Sequence, residues 1–323
     1  MIVKGIVNIF NNTIYMVKAK PFVKWAGGKA SLLTQLERLL PDNFDEFENV
    51  TYIEPFVGGG AMLFHMLRHH TNITRAVIND VNNDLIHCYE LIRDNPLVII
   101  EQLEIIEKLY NSYDQTEKKL LYYNFREKYN EEHLDSDEKA ALFLFLNHTC
   151  FNGLFRVNNQ GKFNVPYGSY KHPLRFDTSV IWEDHKLLNG IKVIIKKPGD
   201  YQEIRRNLSR VGKNFIYLDP PYRPMSTTSN FKGYSRFPFD DFQQEELKMF
   251  CDYLWKKDCL IMLSNSDSKT NEGESYFELL YDNYNFVKLY APRCINAFPN
   301  KRAKTSEVLI RNYSSYEDSH SGK

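Results

Sequence analysis

Cysteine is scarce. Five occur in 323 residues, Cys88, Cys150, Cys251, Cys259 and Cys294, and no C-x-x-C pair is among them. An odd, scattered set points to neither a disulfide framework nor a thiolate zinc site, so no metal is expected. No apolar run approaches the roughly 20 residues that span a bilayer. The opening Met1-Ile-Val-Lys-Gly-Ile-Val-Asn-Ile-Phe10 lacks a long apolar segment and a small-residue cleavage site, so no secretory signal is expected. A reduced, cytoplasmic setting without membrane attachment is the expectation. Excess charge of either sign is also missing: 41 basic residues balance 41 acidic ones. That excludes a polyelectrolyte. With 43% apolar residues, it also excludes a disordered tail protein. Neither a G-x-G-x-x-G fingerprint nor a P-loop lysine occurs, which discounts a nicotinamide oxidoreductase. There is no internal repeat.

What is present is uneven. Residues 79–140 carry 15 acidic against 7 basic side chains, and residues 151–213 carry 12 basic against 5 acidic. A basic stretch of that kind is the footprint of a phosphate-contacting surface, with Lys162, Lys171, Arg175, Lys196 and Lys197 as candidates. It fits a solvated face equally well. Aromatics reach 14% of the chain, enough either to stack on flat ligands or to fill a core.

Short apolar runs alternate with helical patterns. Strands are expected at 51–54, 75–80, 192–196, 214–218 and 259–264, with helices at 61–69, 84–93, 202–209 and 241–256. Continuous apolar strands alternating with helices predict a parallel α/β sheet covered on both faces. Segments 285–290 and 307–311 read as a closing antiparallel pair. Between them the rhythm breaks: 98–109, 116–129 and 136–147 read as charged periodic helices, and 148–180 as loops or a hairpin. The expected organisation is an N-terminal extension (1–20), a discontinuous catalytic domain (21–90 plus 187–313), an inserted lobe (91–186) and a frayed polar tail (314–323).

Four constellations carry chemistry. Glu54-Pro-Phe-Val-Gly-Gly-Gly60 follows a strand and precedes a helix, where glycines admit a tight turn and close backbone approach to a ligand. Taken alone it is equally an ordinary strand–helix turn. Asp80 ends a strand where a carboxylate can accept ribose hydroxyls, although an isolated aspartate there is more often a helix cap. Pro21-Phe-Val-Lys-Trp-Ala-Gly-Gly-Lys29 offers Trp25 as a flat face and Lys29 as a cation. Asp219-Pro-Pro-Tyr222 follows the apolar strand 215–218 and is the strongest signal. Its prolines fix the backbone and remove two N–H donors, leaving carbonyls free to face a substrate. Asp219 adds an acceptor and Tyr222 a flat face. That set suits an exocyclic amino group on a planar ring.

Together these motifs resemble the Dam-type (DpnII/MboI-like) DNA adenine-N6 methyltransferases of the DPPY class. The matching pieces are PFVKWAGGK at 21–29, EPFVGGGAM at 54–62, INDVNNDL at 78–85, FNGLFRVNNQGKFNVPYG at 151–168, DPPYRP at 219–224 and LSNSDS at 263–268. They occur in the family's order, cofactor loop, recognition lobe, then DPPY, over about residues 20–312. The resemblance implies a Rossmann-like S-adenosylmethionine-dependent sheet with an inserted, mainly helical DNA-recognition lobe. It implies cofactor contacts from Trp25, Lys29, Glu54, Phe56, Gly58, Asp80 and Asp219, and an adenine pocket from Asp219, Pro220 and Tyr222. The segment 151–168 matches the loop that reads the DNA site. There Arg156 is expected at a guanine edge, Leu154 and Pro166 at a thymine methyl, Phe151 as a wedge, Asn152 within the loop and Asn158 as its support. Lys24 is expected at a flanking guanine. Ser169 stands where some relatives have arginine.

The implied activity is methyl transfer to N6 of adenine, in 5′-GATC-3′ of double-stranded DNA, by base flipping and direct displacement. The implied partners are DNA and a cognate restriction endonuclease that forms no stable complex, with the chain a monomer. Alternatives are a DNA methyltransferase of other specificity, an amino-methyltransferase acting on RNA, a cytosine-N4 enzyme and a DNA-binding module without catalysis.

Overall fold

In the computed structural model, the residues described are 18–131, 133–223, 239–291 and 305–320. Most of the N-terminal extension, Pro224, Cys294 and the last three residues lie outside them. The first helix, α1, covers Leu33–Arg38 and leads to strand β1 (Val50–Glu54). Then follow α2 (Ala61–His69), β2 (Ile73–Ile78), α3 (Asn83–Asp94), α4 (Pro96–Ser112), α5 (Gln115–Tyr129), α6 (Ser136–Thr149) and α7 (Thr178–Asn189). The chain returns to the sheet with β3 (Lys192–Ile195) and β4 (Asn214–Leu218), then α8 (Asp241–Trp255) and β5 (Leu260–Ser266). It ends with α9 (Tyr276–Leu280), β6 (Asn285–Ala291), β7 (Thr305–Arg311) and α10 (Tyr316–His320).

The strands form one sheet in the order β3-β2-β1-β4-β5-β7-β6. The first five run parallel, and β7 lies antiparallel between β5 and β6. Successive residues of each strand face opposite sides. Tyr52, Ala76 and Phe215 join one apolar cluster, and their neighbours Ile53, Val77 and Ile216 join another. Helices α2, α3 and α7 contribute to the first cluster and α8 to the second. The doubly covered α/β architecture with its closing antiparallel pair is therefore present.

Several expectations change. The stretch expected as a helix at 202–209 is a 3-10 segment, Tyr201–Asn207. Helix α6, expected to be amphipathic, is charged only near its start and buried on every side from Ala140 to Asn147, as suits a helix at the centre of a lobe. The boundaries expected at 90 and 186 both fall inside helices, α3 and α7. Lobe residues Ile99, Leu103, Tyr122 and Phe145 belong to the same apolar cluster as the sheet's first face, so no break in packing separates lobe from sheet. Between α6 and α7, bridges Cys150–Tyr167 and Val157–Phe163 fold 150–167 into an irregular hairpin.

The tail is docked, at least as far as Asp318. Arg311, the last residue of β7, is fully buried. Asp318 of α10 accepts two bonds from its Nη2, at 2.8 and 3.0 Å, and the Leu39 carbonyl accepts one from Nη1 at 3.3 Å. A guanidinium in the core requires such a partner.

Candidate active site and DNA-reading loop

Strand order reverses between β1 and β4: from β1 the chain proceeds through β2 to β3, and from β4 the other way to β5. A crevice opens at the carboxyl ends of two such strands. Glu54 is the last residue of β1, and Asp219 follows the last residue of β4. Their sequence neighbours furnish the site.

Lys29 is the electrostatic centre. It is 4% exposed, and its Nζ lies 2.8 Å from Asp219 Oδ2, 4.0 Å from Glu307 Oε2 and 2.6 Å from the Gly27 carbonyl. The same ammonium sits over the Tyr222 ring, 4.8 Å from its centroid. Burial pushes the Asp219 carboxyl up, and the charge and hydrogen bond of Lys29 oppose it. Burial pushes Glu54 up as well, against the 2.6 Å hydrogen bond donated by Tyr52. The phenol of Tyr222 donates to Glu307 at 2.7 Å. Burial, followed by the charges of Asp219 and Glu307, holds that phenol in its neutral form.

The Asp-Pro-Pro-Tyr loop is held from below. Gln244 of α8 donates to the Pro221 carbonyl at 3.2 Å and accepts from the buried Asn265 at 3.2 Å. Asn265 Oδ1 accepts the Arg223 backbone N–H at 3.3 Å, and Ser266 Oγ donates to the Arg223 carbonyl at 2.7 Å. The Arg223 side chain forks onto both oxygens of Asp241, at 2.7 and 3.1 Å. Among the described residues no donor reaches the Pro220 carbonyl.

The glycine turn after β1 closes the other wall. Asp80, two residues beyond β2, accepts the backbone N–H of Gly58 at 3.0 Å and that of Asn82 at 2.9 Å. Gly58 has φ +47°, and a Cβ there would come within 2.8 Å of the Trp25 ring. Tyr89 donates to the Gly58 carbonyl at 3.0 Å. Asn82 caps α3 through Leu85, and Asn79 donates to the Pro55 and Gly199 carbonyls. Phe56 packs on Tyr201 and Phe239.

The segment 21–29 joins this cleft to the 150–167 hairpin. Lys24 exchanges two backbone hydrogen bonds of 2.8 Å with the Asn147 amide of α6. Its ammonium reaches the His148 carbonyl at 3.3 Å and lies over Tyr170. Trp25 stacks on Phe155 with centroids 6.0 Å apart. In the loop itself, Arg156 is exposed and braced by Asn164, whose side-chain oxygen accepts from Nε at 2.8 Å. Asn158 accepts the N–H groups of Gln160 and Lys162, closing the hairpin tip. Phe151 is 50% exposed, and Asn152 and Ser169 have φ of 56° and 51°. Asn152 and Pro166 are exposed and Leu154 half-buried. The Pro166 carbonyl accepts the Phe151 N–H at 2.9 Å.

A family model described as D12 class N6 adenine-specific DNA methyltransferase matches residues 25–293. The chain belongs to that family. The Type II methyltransferase M.MjaIII of Methanocaldococcus jannaschii is 39% identical over 300 residues, covering 92% of this chain and 100% of that one. The Type II methyltransferase M1.LlaDCHI of Lactococcus lactis subsp. cremoris is 34% identical, covering 92% and 96%. The DNA adenine methylase of Escherichia coli K12 is 32% identical, covering 91% and 95%. The rRNA methyltransferase aviRa from Streptomyces viridochromogenes aligns at TM-score 0.38 and 14% identity, over 90% of this chain and 86% of that one, too distant to carry weight.

A methyltransferase of this family implies S-adenosylmethionine as methyl donor and DNA as substrate. The residues present fit that cofactor: an acceptor carboxylate, Asp80, just beyond β2, a turn whose tight φ keeps the backbone close, and a tryptophan face beside it. Among the described residues no cluster of His, Cys, Asp and Glu is placed to hold a metal, and no helix is long and apolar enough to cross a membrane. The structure brings Trp25 to Gly58, Asp80 to Gly58, and Lys29 to Asp219 and Tyr222. Sequence reasoning missed Glu307, Gln244 and Asn265. LSNSDS at 263–268 was visible as a motif, and polar residues ending an apolar strand were the available signal for Asn265 and Ser266. Glu307 had none.

Proposed function

We propose that this methyltransferase modifies adenine in 5′-GATC-3′ of double-stranded DNA, acting on a base flipped out of the duplex. The observation that carries the reading is the cluster at the β1/β4 crevice, where a carboxylate, a proline carbonyl that no donor reaches among the described residues and a tyrosine face lie in four consecutive residues. A target amine inside the stack is out of reach, and extruding the base costs a few kcal/mol. In the proposed pocket Tyr222 stacks on the extruded ring. Asp219 and the Pro220 carbonyl accept its two N6–H groups and so aim the nitrogen lone pair. Asp219, with Lys29 opposing the effect of burial on its carboxyl, is placed to stabilise positive charge developing on nitrogen. The proton then leaves after transfer.

S-adenosylmethionine supplies an electrophilic methyl group on a sulfonium, open to direct displacement by an amino nitrogen. Trp25, Lys29, Glu54, Phe56, Gly58, Asp80 and Asp219 are the proposed contacts. In the loop, Arg156 reads a guanine edge, Leu154 and Pro166 a thymine methyl, and Lys24 a flanking guanine. Phe151 enters the opened duplex, Asn152 lines the loop and Asn158 supports it. The exposed Lys162, Lys171 and Arg175 contact phosphates and set the salt dependence. The GATC preference and the DpnII/MboI-like grouping rest on the resemblance of the 151–168 segment. The chain is proposed to act as a monomer, beside a separate restriction endonuclease.

The test uses S-adenosylmethionine carrying a labelled methyl group. It is offered a duplex with one GATC, the same duplex with the adenine replaced, and a structured RNA. Label recovered as N6-methyladenine from the first alone supports the reading. Label on DNA lacking GATC discards the specificity. Label only on RNA discards the substrate. The variant Asp219→Ala should lose transfer yet keep DNA binding.

A further inference from the structure

We propose that Glu307 is the positioning residue that sets the stacking face of Tyr222. The inference rests on the base-binding reading above and adds a residue from a strand that carries none of the motifs.

The geometry is a clamp. Glu307 lies on β7 and is the register partner of Ser266 on β5. Ser266 and Asn265 hold the carbonyl and N–H of Arg223, the residue after the tyrosine. Glu307 accepts from the Tyr222 phenol at 2.7 Å. Two adjacent strands thus fix the backbone beside the ring and the ring's far end. A tyrosine side chain has two main rotatable bonds, and tethering both ends leaves neither free. The Lys29 ammonium covers one face of the ring, and the other is the proposed face for a planar base. Aromatic stacking is sensitive to tilt and offset, so an untethered phenol loses much of its value as a platform. A carboxylate acceptor makes the tether stronger than a neutral one would.

Glu307 has a second neighbour, the Lys29 ammonium at 4.0 Å. Balancing that charge is the competing role. The two separate kinetically, because a tilted ring impairs the step that positions the amine, whereas an altered Lys29 impairs the cofactor's side of the cleft.

The experiment compares wild type, Glu307→Leu, Glu307→Gln, Tyr222→Phe and the double variant Glu307→Leu/Tyr222→Phe. The substrate is a duplex containing the sequence that wild type methylates, with a parallel duplex bearing 2-aminopurine at the target. Loss of one charge-assisted hydrogen bond corresponds to about tenfold in rate. Glu307→Leu and Tyr222→Phe should each lower kcat by about that factor, with KM for S-adenosylmethionine and for DNA within about twofold. The double variant should be no slower than either single one. Glu307→Gln, which keeps an acceptor oxygen, should restore most of the rate. In the 2-aminopurine complex the wild-type ring should quench the extruded base, and Glu307→Leu should raise the emission.

A raised KM for S-adenosylmethionine with unchanged kcat in Glu307→Leu overturns the proposal in favour of the Lys29 role. Wild-type kcat in Tyr222→Phe also overturns it, and that variant cuts the same bond should Glu307→Leu fail to fold. Absence of N6-methyladenine from wild type itself would instead sink the base-binding reading, a distinct result.

Discussion

Removing the carboxylate of Asp318 should destabilise the whole protein, although it lies only a few residues from the chain's end. The reason is Arg311. Its guanidinium has no exposure, and the side chain of its partner is 31% exposed. Breaking a fully buried ion pair by deleting one partner costs about 3–5 kcal/mol. Here water can reach the vacated site once α10 lifts away, so about 2–3 kcal/mol is the expected loss. In a chain of this size that corresponds to a fall in Tm of about 5 °C. Differential scanning calorimetry of Asp318→Ala against wild type measures it. Deleting both charges, as in Arg311→Met/Asp318→Leu, should recover most of the loss, because an apolar pair leaves no orphaned charge. The effect should depend on pH with a definite sign. Burial raises the Asp318 carboxyl, but hydrogen bonds from Arg311 and Ser315 outweigh that and hold it below its ordinary value. The contribution is therefore complete above the ordinary carboxylate range and disappears as pH falls through the lowered value. Wild type and Asp318→Ala should converge in acid. A Tm for Asp318→Ala within about 1 °C of wild type at neutral pH would refute the reasoning, as would a gap that persists in acid.

Three further outcomes follow from the cleft, the loop and the core. Gly58→Ala places a methyl group against Trp25 at a left-handed backbone position, so KM for S-adenosylmethionine should rise about tenfold with a smaller change in kcat; an unchanged KM would separate that turn from the cofactor. Arg156→Ala should cost about 1–3 kcal/mol at one base pair of the recognised site. Uniform weakening on all DNA sequences would instead mark Arg156 as a phosphate contact. Asp184 is buried and accepts the Lys20 N–H, and burial pushes its carboxyl up to about 8. Its stabilising contribution is complete below the ordinary carboxylate range and lost as pH rises through that value. Asp184→Asn should gain on wild type in chemical denaturation as pH rises from about 5 to 8, and a constant difference would count against it.

Much of the sheet was legible because buried parallel strands have a plain signature. Phe215-Ile-Tyr-Leu218 is continuous, apolar and bounded by turn residues, and β4 covers Asn214–Leu218. The site's outline was legible for a related reason. Gly58, Asp80 and Asp219 each sit just beyond a strand's end, where only backbone chemistry and acceptors are useful. What stayed hidden depends on tertiary partners. Glu307 precedes the continuous apolar run Val308-Leu-Ile310 in β7 and reads as an ordinary polar residue near a strand's start. Arg311 reads likewise at the strand's end, yet the sheet turns it inward against α10. The tail's composition was that of a frayed end, and nothing in it announced the buried guanidinium that Asp318 meets. The 3-10 segment 201–207 was misjudged because, over seven residues, a period of 3.0 is hard to tell from one of 3.6.

The position of β7 has a consequence for the time at which the enzyme becomes active. It is the last strand to be synthesised, yet it occupies an interior place in the sheet, between β5 and β6. A chain still emerging from the ribosome can pair β1 to β5 but cannot seat β6, whose one neighbour among the described residues is β7. Long-range pairing of this kind is slow and comes late. The glycine turn, Asp80 and the 150–167 hairpin are all made early, so a partly synthesised chain already holds the surfaces proposed for cofactor and DNA. It lacks the strand that tethers Tyr222. On the tether proposed above, such a product would bind before it reached its full rate of transfer.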